Sequence, residues 1–502
     1  MSIEVASGLS SRDHLLPDVQ SFLDRDQFAA SVGGRSVDAD QTFETVDPGT
    51  GKVIARVADL EGAAIDSAVD VAGEAFRKTD WATMPVERRC DLMRKFADRI
   101  ETDKAVLAQI EALDAGKIES QAVGDVENLI ATLRYFADVA AQTDPRRQLN
   151  VDGHDAYVVA KPWGPCGFIF PWNFPLLLIG WGVSPALAAG NPVVIKPAED
   201  TSLSALYLAE LANEVLPPGI FNVVTGLGRT AGAAFSQNAN LKRMSFTGSP
   251  EVGKIVARSC GENLVPVKLE LGGKGAAVVF DDVDVESVAA ALSGAITFHT
   301  GQVCCDATRW FVSKTIYNDF VEACIDRLRE VKVGYQLDAD SQMGPVVNAK
   351  QRERVLSYLE RGAAEGADAV LGGGPAEVTG RDGFYVKPAL LAGSIDNIAA
   401  REEIFGPVAF LAPFDDEASA IEMVNATDYG LANSVWTTDG DRAKRVAEHM
   451  VAGNSWINAH NVFVHGVPYG GIHKSGMGGG VLSPETFEDY LRKTSIVAKS
   501  NC

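Results

Sequence analysis

Basic residues are in short supply in this 502-residue chain, where 45 Lys and Arg stand against 67 Asp and Glu for a formal net charge of −22 at pH 7. Binding to nucleic acid requires clustered Lys and Arg, and the sequence has no such cluster. We therefore expect no nucleic-acid partner. The dispersed acidic residues are typical of a surface that stays in solution through self-repulsion.

Cysteines are also few, and they are not arranged in pairs. There are seven of them, an odd number, scattered along a long chain. The segment from Met1 to Gln20 has no apolar core of a signal peptide. This pattern is typical of free thiols in a reducing compartment, so we expect a cytoplasmic protein without a disulfide framework.

Long apolar runs suited to a membrane are absent, with one apparent exception. The stretch from Pro162 to Ile195 carries no charged residue and is long enough to cross a bilayer. Prolines and glycines interrupt it too often for a single lipid-exposed helix. They are Pro165, Pro171, Pro175, Pro185 and Pro192 with Gly164, Gly180, Gly182 and Gly190. The stretch predicts buried strand, loop, helix and strand, and no membrane partner.

The rest of the sequence has the pattern of an α/β protein. Residues 61–142 show helical spacing, and residues 150–161 alternate like an edge strand or hairpin. Over residues 162–271, and again after Gly272, short apolar runs alternate with helical stretches, among them a short helix expected at 185–189, which indicates βαβ units in mostly parallel sheets. The length favours more than one domain. We predict an α/β fold with two doubly wound, Rossmann-like domains and a small β element that includes a strand at 494–497.

Two residues are candidates for covalent and base chemistry. Cys304 lies in residues 301–305 (GQVCC), where Gly301 permits a close backbone approach and a loop can expose sulfur. Glu270 is flanked by leucines at the end of a strand-like run, and desolvation there would raise its pKa toward the range of a general base. Each has an ordinary alternative, a buried cysteine and a surface glutamate.

Two further motifs concern binding. Residues 171–175 (PWNFP) form a rigid frame around Asn173, a side-chain donor suited to a developing oxyanion, with a plain turn as the alternative. Residues 246–254 follow a predicted strand, with Ser249 as helix N-cap and Pro250 at the first helical position. The free N–H groups at such a helix end favour a pyrophosphate. The full glycine fingerprint of a dinucleotide site is absent.

Taken together and in this order, the four motifs resemble the aldehyde dehydrogenase superfamily over roughly residues 20–498. Further similar stretches are 190–199 (GNPVVIKPAE), 218–226 (PGIFNVVTG), 402–408 (EEIFGPV) and 468–471 (PYGG) with Ser475 and Gly476. The resemblance implies an NAD-binding domain at 20–142 and 161–271 and a catalytic domain at 272–470. It also implies oligomerisation segments at 143–160 and 486–502, which would join a homodimer or homotetramer.

The resemblance implies a reaction on a small aldehyde. Cys304 would attack the aldehyde as a thiolate, while the Asn173 amide and the Cys304 backbone N–H hold the oxyanion. Glu270 would then activate water to hydrolyse the resulting thioester. The products are a carboxylic acid and NADH.

The resemblance also assigns cofactor and substrate residues. A carboxylate at Glu199 repels a 2′-phosphate, so NAD is the expected cofactor. Its contacts are expected from Lys196, Glu199, Gly228, Gly248, Ser249, Glu403, Phe405 and Trp172. The substrate pocket is expected from Phe174, Leu178, Trp181, Val303, Cys305 and Phe463, an apolar set suited to a hydrophobic or aromatic aldehyde. His460 and His465 lack a closed ligand set, so no metal is expected.

The sequence departs from the family pattern at two places. His299 stands where many members have asparagine, and it would either lower the pKa of a nearby thiol or fill space as a buried neutral ring. Gly182, Gly479 and Gly480 stand where many members have a lysine and an Arg–Glu pair. Losing both ends avoids an unpaired buried charge, and it predicts that proton exit depends on Glu270 and water alone.

Three alternatives differ in chemistry. A CoA-acylating dehydrogenase would transfer the acyl group to coenzyme A, and Glu270 weighs against it because such relatives generally lack a base there. A cysteine hydrolase would not need Lys196, Glu199 and Glu403. A catalytically silent protein of the same fold would not need Cys304 together with Glu270 and Asn173.

Overall fold

The computed structural model describes residues 14–499. Over that range the chain forms two large sheets covered by helices, a three-stranded antiparallel sheet and two small two-stranded sheets. Cys502 and the last residues of the predicted segment 486–502 lie outside the described residues.

The first part of the chain supplies most of the first large sheet. Its elements are α1 (Pro17–Leu23), β1 (Ala30–Val32), β2 (Arg35–Val37), β3 (Thr42–Asp47), β4 (Lys52–Ala58), α2 (Gly62–Lys78), α3 (Val86–Thr102), α4 (Lys104–Ala115), α5 (Glu119–Gln142), β5 (Arg146–Val151), β6 (His154–Pro162), β7 (Cys166–Ile169), α6 (Pro175–Ala188), β8 (Val193–Lys196), α7 (Leu203–Val215), β9 (Phe221–Val223), a π-helical turn (Gly228–Gly232), α8 (Ala233–Gln237), β10 (Arg243–Gly248), α9 (Pro250–Glu262) and β11 (Val267–Leu271).

The second part supplies the second large sheet. Its elements are β12 (Gly275–Val279), α10 (Val285–Thr297), a 3₁₀ turn (Phe298–Gly301), β13 (Ala307–Ser313), α11 (Tyr317–Arg329), α12 (Ala349–Ala364), β14 (Asp368–Leu371), β15 (Gly374–Pro375), β16 (Val386–Lys387), β17 (Ala389–Ala392), α13 (Ile398–Arg401), β18 (Val408–Phe414), α14 (Glu417–Asn425), β19 (Ala432–Trp436), α15 (Gly440–His449), β20 (Asn454–Ile457), a 3₁₀ turn (His473–Ser475), β21 (Gly476–Met477), α16 (Pro484–Asp489) and β22 (Leu491–Lys499).

The first sheet has the strand order β2-β1-β9-β8-β7-β10-β11-β21. Strands β7 to β11 run parallel, and the chain steps outward from β7 to β8 and β9, then returns to the other side of β7 for β10 and β11. The order therefore reverses between β7 and β10. Ligands of such sheets bind in the crevice outside the carboxyl ends of the strands at this switch point, and there the loops that contain Asn173 and Ser249 leave the sheet.

The second sheet has the order β14-β17-β18-β13-β12-β19-β20, parallel except for the edge strand β14. Three residues, Gly272 to Lys274, connect the end of β11 to the start of β12. Because β13 lies parallel to β12, both strands begin at the same edge, where the loop that contains Cys304 enters β13. The carboxyl end of the first sheet and the amino end of the second therefore meet at Glu270 and Cys304.

The predicted small β element is present. Strands β5 and β6 form a hairpin, and β22 pairs antiparallel with β6 from Leu491 opposite Pro162 to Lys499 opposite His154. The hairpin expected at 150–161 and the strand expected at 494–497 are thus confirmed. The domain boundaries stay a prediction, and β21, beyond residue 470, joins the first sheet.

One predicted element begins in the wrong place. The sequence favoured a short helix at 185–189, whereas α6 runs from Pro175 to Ala188 with Pro185 inside it. Nearly every residue of α6 is buried, so the apolar residues show no helical period in the sequence. Within residues 14–499, no helix has the length and hydropathy needed to cross a membrane.

Candidate active site

The loop before Cys304 has an unusual backbone. His299, Thr300 and Gly301 have φ angles of 44°, 58° and 67°, so three consecutive residues adopt the left-handed region. A Cβ on Gly301 would lie 2.3 Å from the backbone of Gly406, which only glycine avoids. The close approach expected of Gly301 is therefore present, and the loop brings the partly exposed Cys304 to the amino end of β13.

Gln302 fixes this loop from inside. Its side-chain Oε1 accepts a hydrogen bond from the Val347 N–H at 3.0 Å, and its Nε2 donates to the His299 carbonyl at 3.1 Å. Its own carbonyl accepts from Asn173 Nδ2 at 2.9 Å. The Asn173 amide is thereby tied to the loop two residues before Cys304. A planar amide has two N–H donors, and the second has no partner among residues 14–499, so it can bind a ligand.

Buried charges support the segment around Asn173. The side chain of Asn173 is itself buried. The Lys117 ammonium lies 4.2 Å from the centroid of the Phe174 ring, and the same ammonium pairs with Glu111. Glu111 in turn accepts a hydrogen bond from the Leu176 N–H at 3.1 Å, at the first turn of α6. A carboxylate at a helix amino end is favourable, so this cluster holds the segment in one position.

Glu270 lies near the end of β11, opposite Gly476 of β21, and is 9% exposed. Burial raises the pKa of this carboxyl to about 8, although the charge of Lys268 acts in the opposite direction. A Cβ on Gly470 would lie 3.2 Å from Glu270 Oε1, so that glycine leaves the carboxyl room beside the C-terminal loop. A carboxyl with this pKa has the properties of a base at mildly alkaline pH.

Sequence reasoning missed Tyr469, which stood out only as part of the PYGG stretch. Its hydroxyl lies 3.7 Å from Cys304 Sγ. Hydrogen bonds from Cys305 and, against the effect of burial, from Tyr469 lower the pKa of the Cys304 thiol. Nothing in the sequence indicates this contact, because the two residues are 165 positions apart.

Most of the predicted site residues line one cavity of about 1580 Å³. The cavity brings together Trp172, Asn173, Phe174, Leu178, Trp181, Gly248, Ser249, Glu270, Val303, Cys304, Cys305, Glu403, Phe405 and Phe463. Lys196, Glu199 and Gly228 are not part of its lining. The nucleophile, base and oxyanion candidates therefore face a common space.

Aromatic rings form one end of this cavity. The Trp181 ring lies 5.1 Å from the Phe463 ring and 5.5 Å from the Tyr469 ring, measured between centroids. Phe174 and Val303 pack in the same apolar cluster. The indole N–H of Trp181 donates to Asn128 Oδ1 at 2.8 Å, which fixes the ring. This end is suited to an uncharged, apolar ligand group.

A second part of the cavity, the polar end, presents polar groups around a helix amino end. Ser249 is the N-cap of α9, its hydroxyl accepts from the Val252 N–H at 3.3 Å, and Pro250 follows it, as the sequence predicts. Glu403 Oε1 accepts from the Gly273 N–H at 3.0 Å, and burial raises the pKa of Glu403 to about 7. The Trp172 and Phe405 rings meet edge to face at 5.2 Å.

Lys196, Glu199 and Gly228 form a separate polar cluster. The buried Lys196 ammonium lies 3.8 Å from Glu199 Oε2, and the Gly228 N–H lies 3.5 Å from Glu199 Oε1. Burial lowers the pKa of Lys196. The Glu199 carboxylate itself is 41% exposed, so it remains accessible to a ligand.

His299 was expected either to lower the pKa of a nearby thiol or to fill space as a neutral ring, and its surroundings favour the second role. Its ring is buried and lies 5.1 Å from the Phe174 ring. Burial lowers its pKa well below the ordinary value, which keeps the ring neutral. Similarly, burial lowers the pKa of His460 to about 4. Within residues 14–499, no three His, Cys, Asp or Glu side chains are grouped as metal ligands.

Two glycines of the second departure are closely packed, and Gly480 leaves no room for a side chain. A Cβ on Gly182 would lie 3.0 Å from the Phe170 ring, and one on Gly480 would lie 2.6 Å from the Tyr469 carbonyl oxygen. A different cation lies near Glu270. Lys268, two positions earlier on β11, donates from Nζ to the Gly480 carbonyl at 2.5 Å and pairs with Asp489 at 2.8 Å.

Known proteins of similar sequence belong to one family. The model of the aldehyde dehydrogenase family matches residues 36–496. The chain belongs to the aldehyde dehydrogenase family. Among curated proteins, it is 40% identical over 462 residues to a 2-aminomuconic 6-semialdehyde dehydrogenase from a Pseudomonas species, covering 90% of this chain and 94% of that protein. It is also 40% identical to rat cytosolic aldehyde dehydrogenase 1, covering 87% of each.

Solved structures of family members superpose over almost the entire chain. An NAD⁺ complex of an aldehyde dehydrogenase from Bacillus cereus has a TM-score of 0.94 at 36% identity and covers 97% of this chain and 99% of its own. An NAD⁺ complex of a betaine aldehyde dehydrogenase from Staphylococcus aureus has a TM-score of 0.93 at 32% identity, covering 97% of each chain. The family, the two-domain Rossmann-like fold and the assignment as an oxidoreductase of the aldehyde dehydrogenase type are confirmed.

Proposed function

We propose that the chain oxidises a hydrophobic or aromatic aldehyde to the carboxylic acid with NAD as the oxidant, through a thioester on Cys304. The observation that carries this proposal is the shared cavity, where a thiol, a carboxyl of raised pKa and a buried amide face one space between an aromatic end and a helix amino end. The nucleophile, the oxyanion donor and the base of the reaction can then each be assigned to a residue.

Cys304 begins the reaction. Its thiolate forms a bond to the aldehyde carbon, and the carbonyl electron pair moves to oxygen. The second N–H of Asn173 Nδ2 and the backbone N–H of Cys304 stabilise that oxyanion, since a hydrogen bond from Asn173 to Gln302 already joins the two loops before substrate arrives. When the oxyanion collapses, the carbon loses hydride and becomes a thioester. NAD, when bound, supplies the hydride acceptor.

Glu270 completes the reaction. As a carboxylate it removes a proton from water, whose oxygen bonds to the thioester carbon while the carbon–sulfur bond breaks. Cys304 leaves as thiolate, and the acid is released. Because the pKa of Glu270 is raised to about 8, the carboxyl is mostly protonated below that pH and mostly ionised above it. Hydrolysis should therefore speed up as the pH rises through 8.

The residues at the polar end fit a dinucleotide. The amino end of α9 at Ser249 offers N–H groups to a pyrophosphate, and Glu403 offers a carboxylate to a ribose hydroxyl. A Cβ on Gly272 would lie 2.2 Å from Glu403 Oε2, so the glycine makes room for that carboxylate. The exposed Glu199 carboxylate, next to Lys196, would accept from ribose hydroxyls and repel a 2′-phosphate, which favours NAD over NADP.

The aromatic end supports the substrate assignment. Trp181, Phe463 and Phe174 present apolar surface, and Leu178, Val303 and Cys305 complete the wall. Removing apolar groups from water favours an uncharged chain or ring at this end. We expect kcat/KM to rise with the apolar surface of the aldehyde.

The alternatives are separable in one assay. NADH formation is followed at 340 nm on mixing the enzyme with NAD and aliphatic, aromatic and amino aldehydes in turn, with and without coenzyme A, and the acid is quantified. We expect NADH and acid in equal amounts, unaffected by coenzyme A. Coenzyme A-dependent NADH with no acid would establish the acylating alternative. Ester hydrolysis without NADH formation from any aldehyde would indicate a hydrolase, and neither activity would indicate a silent protein.

We further propose a cytoplasmic homodimer or homotetramer. Six free cysteines within the described residues support a reducing compartment. The three-stranded sheet ends in β5 and β22, whose outer edges are unpaired within the described part of this chain. Exposed Val151, Ile496 and Val497 lie on these strands, which suits a subunit contact. Sedimentation velocity distinguishes the two oligomeric states from a monomer.

A further inference from the structure

Tyr469 has a fixed position beside the sulfur of Cys304. Its backbone is paired in both directions with Val481, with hydrogen bonds of 2.9 Å and 2.6 Å. Its ring packs edge to face against Phe463 at 5.1 Å and against Trp181 at 5.5 Å. The hydroxyl, 3.7 Å from Cys304 Sγ, is therefore held in place by backbone and ring contacts together.

The charges around Cys304 do not favour a thiolate. Glu403 raises the pKa of the thiol, and the thiol in turn raises the pKa values of Glu270 and Asp306, so the charges that interact with the sulfur are negative. None of the groups with the largest influence on the thiol is a cation. The remaining favourable contacts are neutral donors: the Cys305 thiol, the Tyr469 hydroxyl and a backbone N–H.

We propose that the Tyr469 hydroxyl is a catalytic hydrogen-bond donor that stabilises the Cys304 thiolate in the resting enzyme and again when the thioester breaks. This role rests on the proposed function, because it requires Cys304 to be the nucleophile. Cys305 also donates to this sulfur, but Tyr469 offers an O–H group, which is a stronger donor than an S–H group.

The phenol keeps its proton throughout this role. Burial raises the pKa of Tyr469 well above its ordinary value, so it acts as a donor and not as a base. During attack, the sulfur shares its electron pair with the aldehyde carbon, and the hydrogen bond from Tyr469 weakens. On hydrolysis the pair returns to sulfur and the hydrogen bond is restored. No proton leaves the phenol at either step.

The alternative is that Tyr469 only forms the wall of the cavity. Tyr469→Phe separates the two roles, because it keeps the ring and its contacts with Trp181 and Phe463 while removing the hydroxyl. The matched control is Tyr385→Phe. Tyr385 is also buried, and it lies outside the cavity lining. The substitution removes one hydrogen bond of its hydroxyl, which donates to the Gly49 carbonyl at 2.9 Å.

The decisive test is the rate of Cys304 alkylation by iodoacetamide between pH 6 and 10, without cofactor, with the modified residue identified by peptide fragmentation. Losing a hydrogen bond to a charged group shifts a pKa by about one unit. We expect the midpoint for Tyr469→Phe to move up by about one pH unit and the rate at pH 7 to fall up to about tenfold. Tyr385→Phe should follow the unmodified enzyme.

The possible results separate this role from the proposed function. An alkylation profile of Tyr469→Phe that coincides with that of the unmodified enzyme, in a variant with unchanged thermal unfolding, would overturn the role of Tyr469. A change in KM for the aldehyde with no shift in the alkylation profile would likewise assign Tyr469 to the wall alone. If instead Cys304→Ala still oxidises aldehydes, the proposed function itself fails, whatever Tyr469→Phe does.

Discussion

Cys304 and Glu270 face the same cavity, but their surroundings are built in opposite ways. Cys304 follows three residues with positive φ, and hydrogen bonds lower the pKa of its thiol against the effect of burial. Glu270 lies in a regular parallel strand, and burial raises the pKa of its carboxyl to about 8. The thiol therefore ionises more readily than an isolated thiol, and the carboxyl less readily than an isolated carboxyl.

This difference matches the order of the two chemical steps. The nucleophile must be charged before the aldehyde arrives, so it needs donors that are already oriented. The base must hold no proton when water is activated but must bind one strongly, which a desolvated carboxyl does. The strained loop and its hydrogen bonds give Cys304 donors that are already oriented. Burial at the end of a strand gives Glu270 a carboxyl that binds a proton strongly.

The largest expected effect comes from removing the sulfur. Cys304→Ala should lower kcat/KM by at least about 10⁴-fold, because the sulfur that forms the thioester is removed. Steady-state NADH formation measures this loss. Cys324→Ala, which removes a free thiol from the core of the second sheet, is the control and should keep most of the activity. Comparable activity in the two variants would remove Cys304 from the mechanism.

A smaller loss is expected when the thiol is intact but its oxyanion donor is absent. Asn173→Ala should lower kcat about 10²–10³-fold, the usual effect of losing one oxyanion donor. It also removes the 2.9 Å hydrogen bond to Gln302, so Asn173→Asp serves as a second variant that keeps the side-chain size but not the donor. Both variants should keep the unmodified affinity for NAD, measured by calorimetry. A loss of tenfold or less in both would contradict the assigned role.

The strain in the loop before Cys304 is tested by its effect on stability. Gly301→Ala places a Cβ 2.3 Å from the Gly406 backbone at a positive φ, which should lower the unfolding free energy by about 2–4 kcal/mol. Gly261→Ala, in α9 with no atom within 4 Å of the new Cβ, should be neutral or stabilise by up to about 1 kcal/mol. Chemical denaturation compares them. Equal midpoints would mean that the loop is not strained.

The smallest expected effect concerns the base. Lys268 lowers the pKa of Glu270, so Lys268→Met should raise that pKa further and move the ascending limb of the hydrolysis rate to higher pH, by about half a unit to one unit. The double variant with Asp489→Asn also removes the carboxylate that loses its 2.8 Å ion pair with Lys268. Lys314→Met, an exposed lysine, is the control. An unchanged limb would support the earlier expectation that Glu270 and water act alone.

The sequence predicted the parts of the site that depend on local pattern. Glu270 has the leucine-flanked context of a buried strand end, and Ser249 with Pro250 is a recognisable helix start, confirmed by the N-cap hydrogen bond. The alternation of strands and helices predicted both sheets because each βαβ unit is short and local. These features need no knowledge of distant residues.

The remaining parts depend on contacts between distant positions. Tyr469 meets Cys304 across 165 residues, and Lys268 meets the Gly480 carbonyl across 212. No periodicity indicates such pairs, because the turns and packing of the whole chain bring them together. The start of α6 was missed for a different reason, namely that a helix buried on all sides has no polar face to mark it.

The central claim is that Cys304 carries the acyl group and Glu270 releases it, and Glu270→Gln tests it most directly. The variant is mixed rapidly with NAD and an aromatic aldehyde, and the products are quenched for mass analysis. We predict a burst of about one NADH per active site, slow turnover afterwards, and an acyl mass on Cys304, as expected when only the base is removed. Full steady-state turnover without a burst, or an acyl group on another residue, would contradict the account.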